Sequence, residues 1–453
     1  MMECNKEQVC PKNMRILKGT VPPNLKGTYF KVGPTWDPSP GNAQRHILDG
    51  HGFLVKVAFP GNGTTPKYQG RFIQTKCRKE ARYGNAFGGP LLTPSGGIRN
   101  PSNTNVVYWN NTLTTWYDGG APVSIDPTTL ETLLHKPFLN FKDGLPFTSR
   151  IDSADIFLKQ NGVIGNALNA HPKIDAENKL ISMELSYSIF PSMTHVTFHT
   201  TDPNTLQSTS RTVNLEGIAY LHDFVVTDKH IIFLHHPLIF DATKAATPSS
   251  MFKNGIVNLL AQPQDYATTI YLLERSSDII KSITLDDTFF VSHHIHAHYD
   301  KNSILHLTSV CYPSYLKLPG NVATFEIDVN LGKLLSRKTN STWIELPAEA
   351  SHGLTYSTCT LDGSHPMQSL CYMKKADMHI YFGRLQHHHK DCMWGEPAVA
   401  GEHVMAFSQD ILTGCTTLDI FDMFLKNHVC QLGFQDMRFP IGLHGTFVKD
   451  ELL

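Results

Sequence analysis

Charge is scarce in this sequence. Charged side chains make up 17% of 453 residues, and 39 Lys and Arg nearly balance 40 Asp and Glu, for a formal net charge of −1. Without a basic field the chain has no long-range attraction for nucleic acid or an anionic membrane surface, so nucleic acid is excluded as a partner. The nine cysteines are odd in number and include no CxxC pair. That argues against a disulfide framework and against a zinc site built on paired cysteines. No run approaches the roughly 18 uninterrupted apolar residues of a membrane-spanning helix. The opening MMECNKEQVCPKNMRILKG has no apolar core, so no signal peptide is expected and a cytoplasmic location follows as the expectation. On the same ground the sequons at Asn62, Asn110 and Asn340 are expected to stay unmodified. Also missing are a GxSxG nucleophile turn and a glycine-rich phosphate loop.

Helical periodicity is rare too, with SSMFKNGIVNLLAQ (249–262) the best candidate. Short alternating or β-branched runs take its place: TYFKV, GFLVKVAF, HVTFHT, HIIFL, TIYLL, ILHLTSV and ATFEIDV. Turn signals such as PGNG, TPSGG and LDGS separate them. The related stretches DPTTLET (126–132) and DPNTLQS (202–208) resemble outer hairpin turns of repeated units. At 41% apolar and 10% aromatic, the chain can bury a sizeable core. An all-β chain of this size has to remove its sheet edges, and radial repetition in a propeller is one way to do so. No linker or charge run divides the sequence, so residues 1–453 are taken as one domain.

Histidine is abundant, at 24 residues. The run His387–His389 reads as a surface cluster. Four others stand in strand-like or strand-edge settings: His171 in NALNAHPKID, His222 in GIAYLHDFVVT, His293 in FFVSHHIHAHYD and His444 in FPIGLHGTFV. Imidazole suits zinc, copper, iron and nickel. Four neutral donors leave a divalent ion its full charge and, in an octahedron, two open positions. Taken singly, each histidine also has a plain alternative as a core or turn residue, and their separations do not decide between the two.

The order of segments resembles the carotenoid cleavage oxygenases, a family that includes apocarotenoid- and stilbene-cleaving enzymes and the animal retinoid isomerohydrolase. LKGTYFKVGP (25–34) resembles the family's G-x-Y-x-R-N-G-P. HILDGHGFLVKVAF (46–59) resembles H-x-F-D-G-x-G-M, and residues 98–132 resemble the stretch that ends in E-G-G-x-P and D-P-x-T-L-E-T. NAHPKID, LHDFVVT, SHHIHAHYD and GLHGTF resemble, in order, the four segments that carry the family's iron ligands.

The resemblance implies a seven-bladed β-propeller, with iron(II) on its axis and a dome of loops and helix above. It implies His171, His222, His293 and His444 as ligands, with Asp118, Glu345 and Glu396 as carboxylates that accept ligand N–H groups. It further implies O2-dependent cleavage of a conjugated double bond in an apolar polyene or stilbene reached through an apolar tunnel.

Several departures stand out. Asp118 replaces a family Glu and is shorter by about 1.5 Å, so direct contact with an imidazole is expected to need a backbone shift or a water; a Glu there would restore the family's reach. Glu349 rivals Glu345. Ser292 stands where the family has Phe, and His296 where it has Asn. Strand alternation is expected to turn His294 away from His293. These departures leave two alternatives in view, a propeller that binds an apolar ligand without chemistry and an isomerohydrolase. Residues 247–273, apolar and weakly charged, are the candidate for peripheral membrane contact.

Overall fold

The computed structural model describes residues 7–35, 48, 50–82, 100–133, 163–188, 191–236, 238–240, 260–261, 267–314, 320–349, 353–361, 367–375, 379–383, 392–435, 437–439 and 441–449. Nearly all of the regular structure is strand, and the one helix among these residues is Lys76–Arg82.

Seven antiparallel sheets follow one another along the chain as the blades of a propeller. The first blade is built on Lys26–Thr35, His51–Pro60 and Lys67–Phe72. The second runs from Asn105–Trp109 to Val123–Ile125, and the third from Val163–Leu168 to Ser208–Glu216. The fourth begins at Val225–Val226, the fifth at Phe290–Tyr299, the sixth at Ile344–Glu349 and the seventh at Cys392–Trp394. The ring closes twice. Gly445–Val448, near the C-terminus, pairs with Lys26–Thr35 in the first blade, and Arg15–Gly19 pairs with His428–Gly433 in the seventh. A sheet closed on itself in this way presents few free edges.

The core is divided rather than central. Seven apolar clusters lie between neighbouring blades, among them Phe233 and Phe198 between the third and fourth blades and Phe325 and Leu272 between the fourth and fifth. Strands packed on both faces read as unbroken apolar runs, which explains HIIFL: every residue of His230–His235 is buried.

The repeat that the sequence shows only faintly is in the turns. Asp126 accepts the N–H groups of Thr128 and Thr129, and Leu130 adopts φ +59°. Asp202 accepts those of Asn204 and Thr205, and Leu206 adopts φ +57°. Each aspartate side chain satisfies two donors, which selects the D-P-x-T-L pattern.

The proposed membrane segment needs correction in part. Its end is core strand: Ile270, Leu272 and Leu273 of Thr269–Glu274 are buried in the fourth blade. Leu260–Ala261 pairs with Ile239–Phe240 in a two-stranded ribbon. Residues 247–259 and 262–266, and with them nearly all of the expected helix, lie outside the described residues, as do His387–His389. No helix among the described residues is long and apolar enough to cross a membrane.

Candidate metal centre

The seven residues singled out in the sequence come one from each blade. His444 precedes the strand that closes the first blade. Asp118 lies in a loop of the second blade. His171 follows Val163–Leu168 of the third, His222 precedes Val225–Val226 of the fourth, and His293 lies in Phe290–Tyr299 of the fifth. Glu345 is in Ile344–Glu349 of the sixth, and Glu396 lies between Cys392–Trp394 and Ala398–Ala400 of the seventh.

The four imidazoles meet at the axis. Ring centroids of His171 lie 4.5 Å from His222, 5.2 Å from His293 and 4.7 Å from His444. His222 and His293 are 5.1 Å apart, and His293 and His444 are 5.3 Å apart. His222 and His444 alone make no ring contact with each other. Five of the six possible ring pairs are therefore in contact.

Three of the imidazoles are anchored by carboxylates. Nδ1 of His222 lies 2.6 Å from Asp118 Oδ2, Nδ1 of His293 lies 2.8 Å from Glu345 Oε2, and Nδ1 of His444 lies 2.8 Å from Glu396 Oε1. A carboxylate accepts the ring N–H, so Nδ1 carries the proton and Nε2 presents a lone pair. The Nε2 of His293 is buried without a hydrogen-bond partner. The Nε2 atoms of His171 and His222 stand 3.1 Å apart. Donor atoms of His171, His293 and His444 lie within 4.8 Å of one another. Converging lone pairs with an orphaned buried nitrogen form a poor hydrogen-bonding arrangement and a good site for a divalent ion. A neutral imidazole set suits iron(II) among other first-row ions.

Asp118 makes its contact directly, contrary to the expectation of a shift or a bridging water. The loop sits tight because Gly120 carries no side chain: a Cβ there would lie 2.5 Å from atoms of Asn100. Asp118 Oδ1 accepts the N–H of Ala170 at 2.7 Å, and Oδ2 accepts the Tyr220 hydroxyl at 2.7 Å. Burial disfavours the charged form of both partners, but their mutual attraction wins, lowering Asp118 and raising His222. His171 is held well below the usual histidine range by burial and then by its three imidazole neighbours.

Glu345, not Glu349, lies against His293; Glu349 is ion-paired to Lys375. Burial opposes ionisation of Glu345, yet His293 and hydrogen bonds from Tyr312 and Ser292 bring it down to about 2. The unusual Ser292 thus has a role in the structure, since its hydroxyl donates to Glu345 Oε1 at 2.8 Å. His294 bonds Ser309 Oγ at 2.8 Å, and its N–H donates to Asp223. Its separation from His293 does not rest on regular alternation, because the pairing register shifts at Val291–His294 and again at His294–His296.

Four supporting residues were not read from the sequence. Lys31, fully buried, places Nζ 3.7 Å from Glu396 Oε2 and donates to the Glu396 carbonyl at 3.0 Å. Burial lowers it to about 8 despite that carboxylate. Its signal was present, because Lys31 stands where the resembling motif has Arg. Asn169 ties two histidine segments together, accepting the His171 N–H at 2.7 Å and donating to the Leu221 carbonyl at 3.2 Å. Tyr220 and Tyr312 have no sequence signal beyond proximity to His222 and to a strand end.

Tyr312 gives a direct test of this support. Its hydroxyl donates to Glu345 and accepts from Trp343 Nε1 at 3.1 Å. Tyr312→Phe removes a bond to a buried charge and leaves an indole N–H unpaired, a loss of about 1.5–3 kcal/mol. The expected result is a lower unfolding midpoint in thermal denaturation, with a smaller change for Ser292→Ala, which leaves the Tyr312–Glu345 and Tyr312–Trp343 bonds in place. An unchanged midpoint for Tyr312→Phe would show that Glu345 is held without it.

A cavity of about 570 Å³ reaches His171, His293 and His444. Lys173, Asp175, Asp223 and Arg275 line it, with Lys173 and Asp223 paired at 2.7 Å. His294 lines it as well.

A family model described as retinal pigment epithelial membrane protein matches residues 1–449. The chain belongs to the carotenoid cleavage oxygenase family. It is similar to the apocarotenoid-15,15'-oxygenase of Synechocystis sp., with 27% identity over 66% of this chain and 59% of that protein. It is also similar to the chloroplastic carotenoid cleavage dioxygenase 7 of Oryza sativa subsp. japonica, with 28% identity over 58% of this chain and 49% of that one. The aligned region thus spans between half and three-fifths of these relatives. A crystal structure of cobalt-substituted Synechocystis ACO shares the fold, with a TM-score of 0.78 over 99% of this chain and 98% of that one at 20% identity.

Proposed function

We propose that this chain is a non-haem iron(II) dioxygenase. It would cleave a conjugated C=C bond of a carotenoid, apocarotenoid or stilbene, placing one oxygen atom of O2 on each of two carbonyl products. The observation that carries the reading is the donor set: four imidazoles from four blades, in contact with one another, and no carboxylate among them. His171, His222, His293 and His444 would hold the ion. Bound there, iron(II) would supply the activation of O2.

The chain's own residues would do the positioning. Asp118, Glu345 and Glu396 would fix three imidazoles in the tautomer that presents Nε2, while Lys31, Tyr220 and Tyr312 hold those carboxylates in place. No side-chain nucleophile is needed, in keeping with the lack of a GxSxG turn. Residues 1–453 would act as one propeller domain, since segments near both ends are needed to close the ring. Asp118 and Ser292, two of the departures from the motif, hydrogen-bond within the carboxylate–imidazole array.

Incubation of the iron-loaded chain with a panel of carotenoids, apocarotenoids and stilbenes under ¹⁸O2 tests the proposal. Two labelled carbonyl fragments are the expected products, identified by mass. Turnover of a retinyl ester to an isomerised alcohol without O2, with no cleavage in the panel, would overturn it in favour of an isomerohydrolase.

A further inference from the structure

A second histidine cluster lies on the fifth blade, away from the axis. His296 and His298 occupy positions i and i+2 of Phe290–Tyr299, so their side chains share one face of the strand. His306, on the adjacent strand Ile304–Tyr312, stands directly opposite His298. The cross-strand register extends this into two polar rows, His296–Thr308–Thr324–Lys338 and His298–His306–Glu326–Ser336. The inner half of the same interface with the sixth blade is apolar, built on Phe290, Ile295, Val310 and Trp343. Packing between blades therefore does not account for a polar outer half.

The rows face a cleft of about 440 Å³, bounded on the other side by Lys375. His296 is 3% exposed, and neither of its ring nitrogens has a hydrogen-bond partner. Leaving buried polar groups unpaired costs on the order of 1–3 kcal/mol each, so such a side chain calls for a ligand. The His296 and His298 rings stack at 5.5 Å, and those of His298 and His306 at 5.1 Å.

We propose that His296, His298 and His306 form a binding site for a divalent transition metal, with zinc as the ion that the donor set favours. Three imidazoles and a water are a standard zinc donor set, with nitrogen about 2.0–2.1 Å from the ion. The stacked rings do not yet converge, so binding requires rotation about the side-chain torsions. His298, exposed at the cleft mouth, and half-buried His306 have room for it. Burial holds His296 down to about 3, so protons do not compete for its lone pairs at neutral pH.

The charged groups around the cluster largely cancel. Lys375 is paired with Glu349, and Lys338 with Glu326 at 2.7 Å, while Asp300 lies 3.6 Å from His306. A cation therefore meets no uncompensated positive charge. This site shares no residue with the axial cluster.

The test is zinc uptake by the iron-loaded chain in equilibrium dialysis, with zinc and iron both counted by mass spectrometry. The expected result is one zinc per chain in addition to the iron. Loss of outer-sphere groups already costs about 10–100-fold in metal affinity, so His298→Ala and His306→Ala should each cost at least tenfold, with iron content unchanged. Both positions are on the cleft side of the blade, and circular dichroism of each variant reports the fold. Cobalt(II) uptake with the intense visible bands of a tetrahedral ion gives a second readout. Failure of the wild type to take a second ion, or full zinc uptake by the folded His298→Ala/His306→Ala double variant, would overturn the proposal.

Discussion

On the function proposed above, replacing His171 by alanine is expected to abolish iron(II) binding and double-bond cleavage by the purified chain. His171, like His293, makes ring contact with the other three imidazoles, and its contacts are shorter, at 4.5, 4.7 and 5.2 Å. Burial and its imidazole neighbours keep it neutral, as a ligand must be. Its removal leaves three donors and a void at the centre. Outer-sphere losses alone cost about 10–100-fold in affinity, so loss of a ligand should exceed that range. His294→Ala is the matched control. Its ring is engaged by Ser309, so iron content should stay close to wild type. Metal analysis of the two variants side by side reads the outcome. Full iron in His171→Ala, or loss of iron in His294→Ala with retention in His293→Ala, would remove the assignment of the axial ligands.

Asp118→Ala is expected to produce the second-largest loss. The carboxylate accepts three donors at once: His222 Nδ1 at 2.6 Å, the Tyr220 hydroxyl at 2.7 Å and the Ala170 N–H at 2.7 Å. Alanine leaves all three to water or unpaired, at a cost on the order of 1–3 kcal/mol for each donor that stays buried. His222 would also lose the partner that fixes its tautomer, for a fall of about 10–100-fold in iron affinity or cleavage rate.

The sign of the pH effect follows from the same contact. Asp118 is held below the ordinary aspartate range, so its stabilising contribution is fully present above that range and is lost as pH falls through the lowered value. His222 is raised, so its contribution is present below the ordinary histidine range and fades as pH rises through the raised value. The metal-free wild type should therefore lose stability at both ends, and Asp118→Ala should flatten both changes.

Asp118→Glu was expected from the sequence to restore the family's reach. The direct contact removes that advantage, and an added methylene must fit among His222, Tyr220 and Ala170, which the shorter carboxylate already meets. Overpacking of this kind typically costs about 1–3 kcal/mol. The expected order of iron content and cleavage rate is wild type, then Asp118→Glu, then Asp118→Ala. If alanine matched wild type in both, Asp118 would be a turn residue and nothing more.

Much of this arrangement is legible in the chain itself. The strand runs, the scarcity of helical periodicity and the Asp-Pro turns specify an all-β fold, because they depend on local alternation and on side chains that cap nearby backbone. The four histidines and three carboxylates stand out through their segments, whose order carries the family resemblance. Other features depend on neighbours distant in sequence. Ser292 reads as a departure from the motif until Glu345 is placed beside it. Lys31 stands at the motif's Arg, but its role shows only once the first and seventh blades bury it against Glu396. Asp118 reads as one methylene too short until Gly120 allows the loop to draw close.

The sequence by itself determined the strands, the turns and the chemical types of the donors, since each rests on interactions within a few residues. Only the tertiary structure decided that His171, His293 and His444 converge with His222 packed beside His171 and His293, that the bulged strand aims His293 rather than His294 at them, and that a cavity with charged lining reaches them. Those outcomes follow from closing seven blades into a ring. Closure brings each blade's axial residues together at a common axis, and no local pattern records where along the strand that axis will pass.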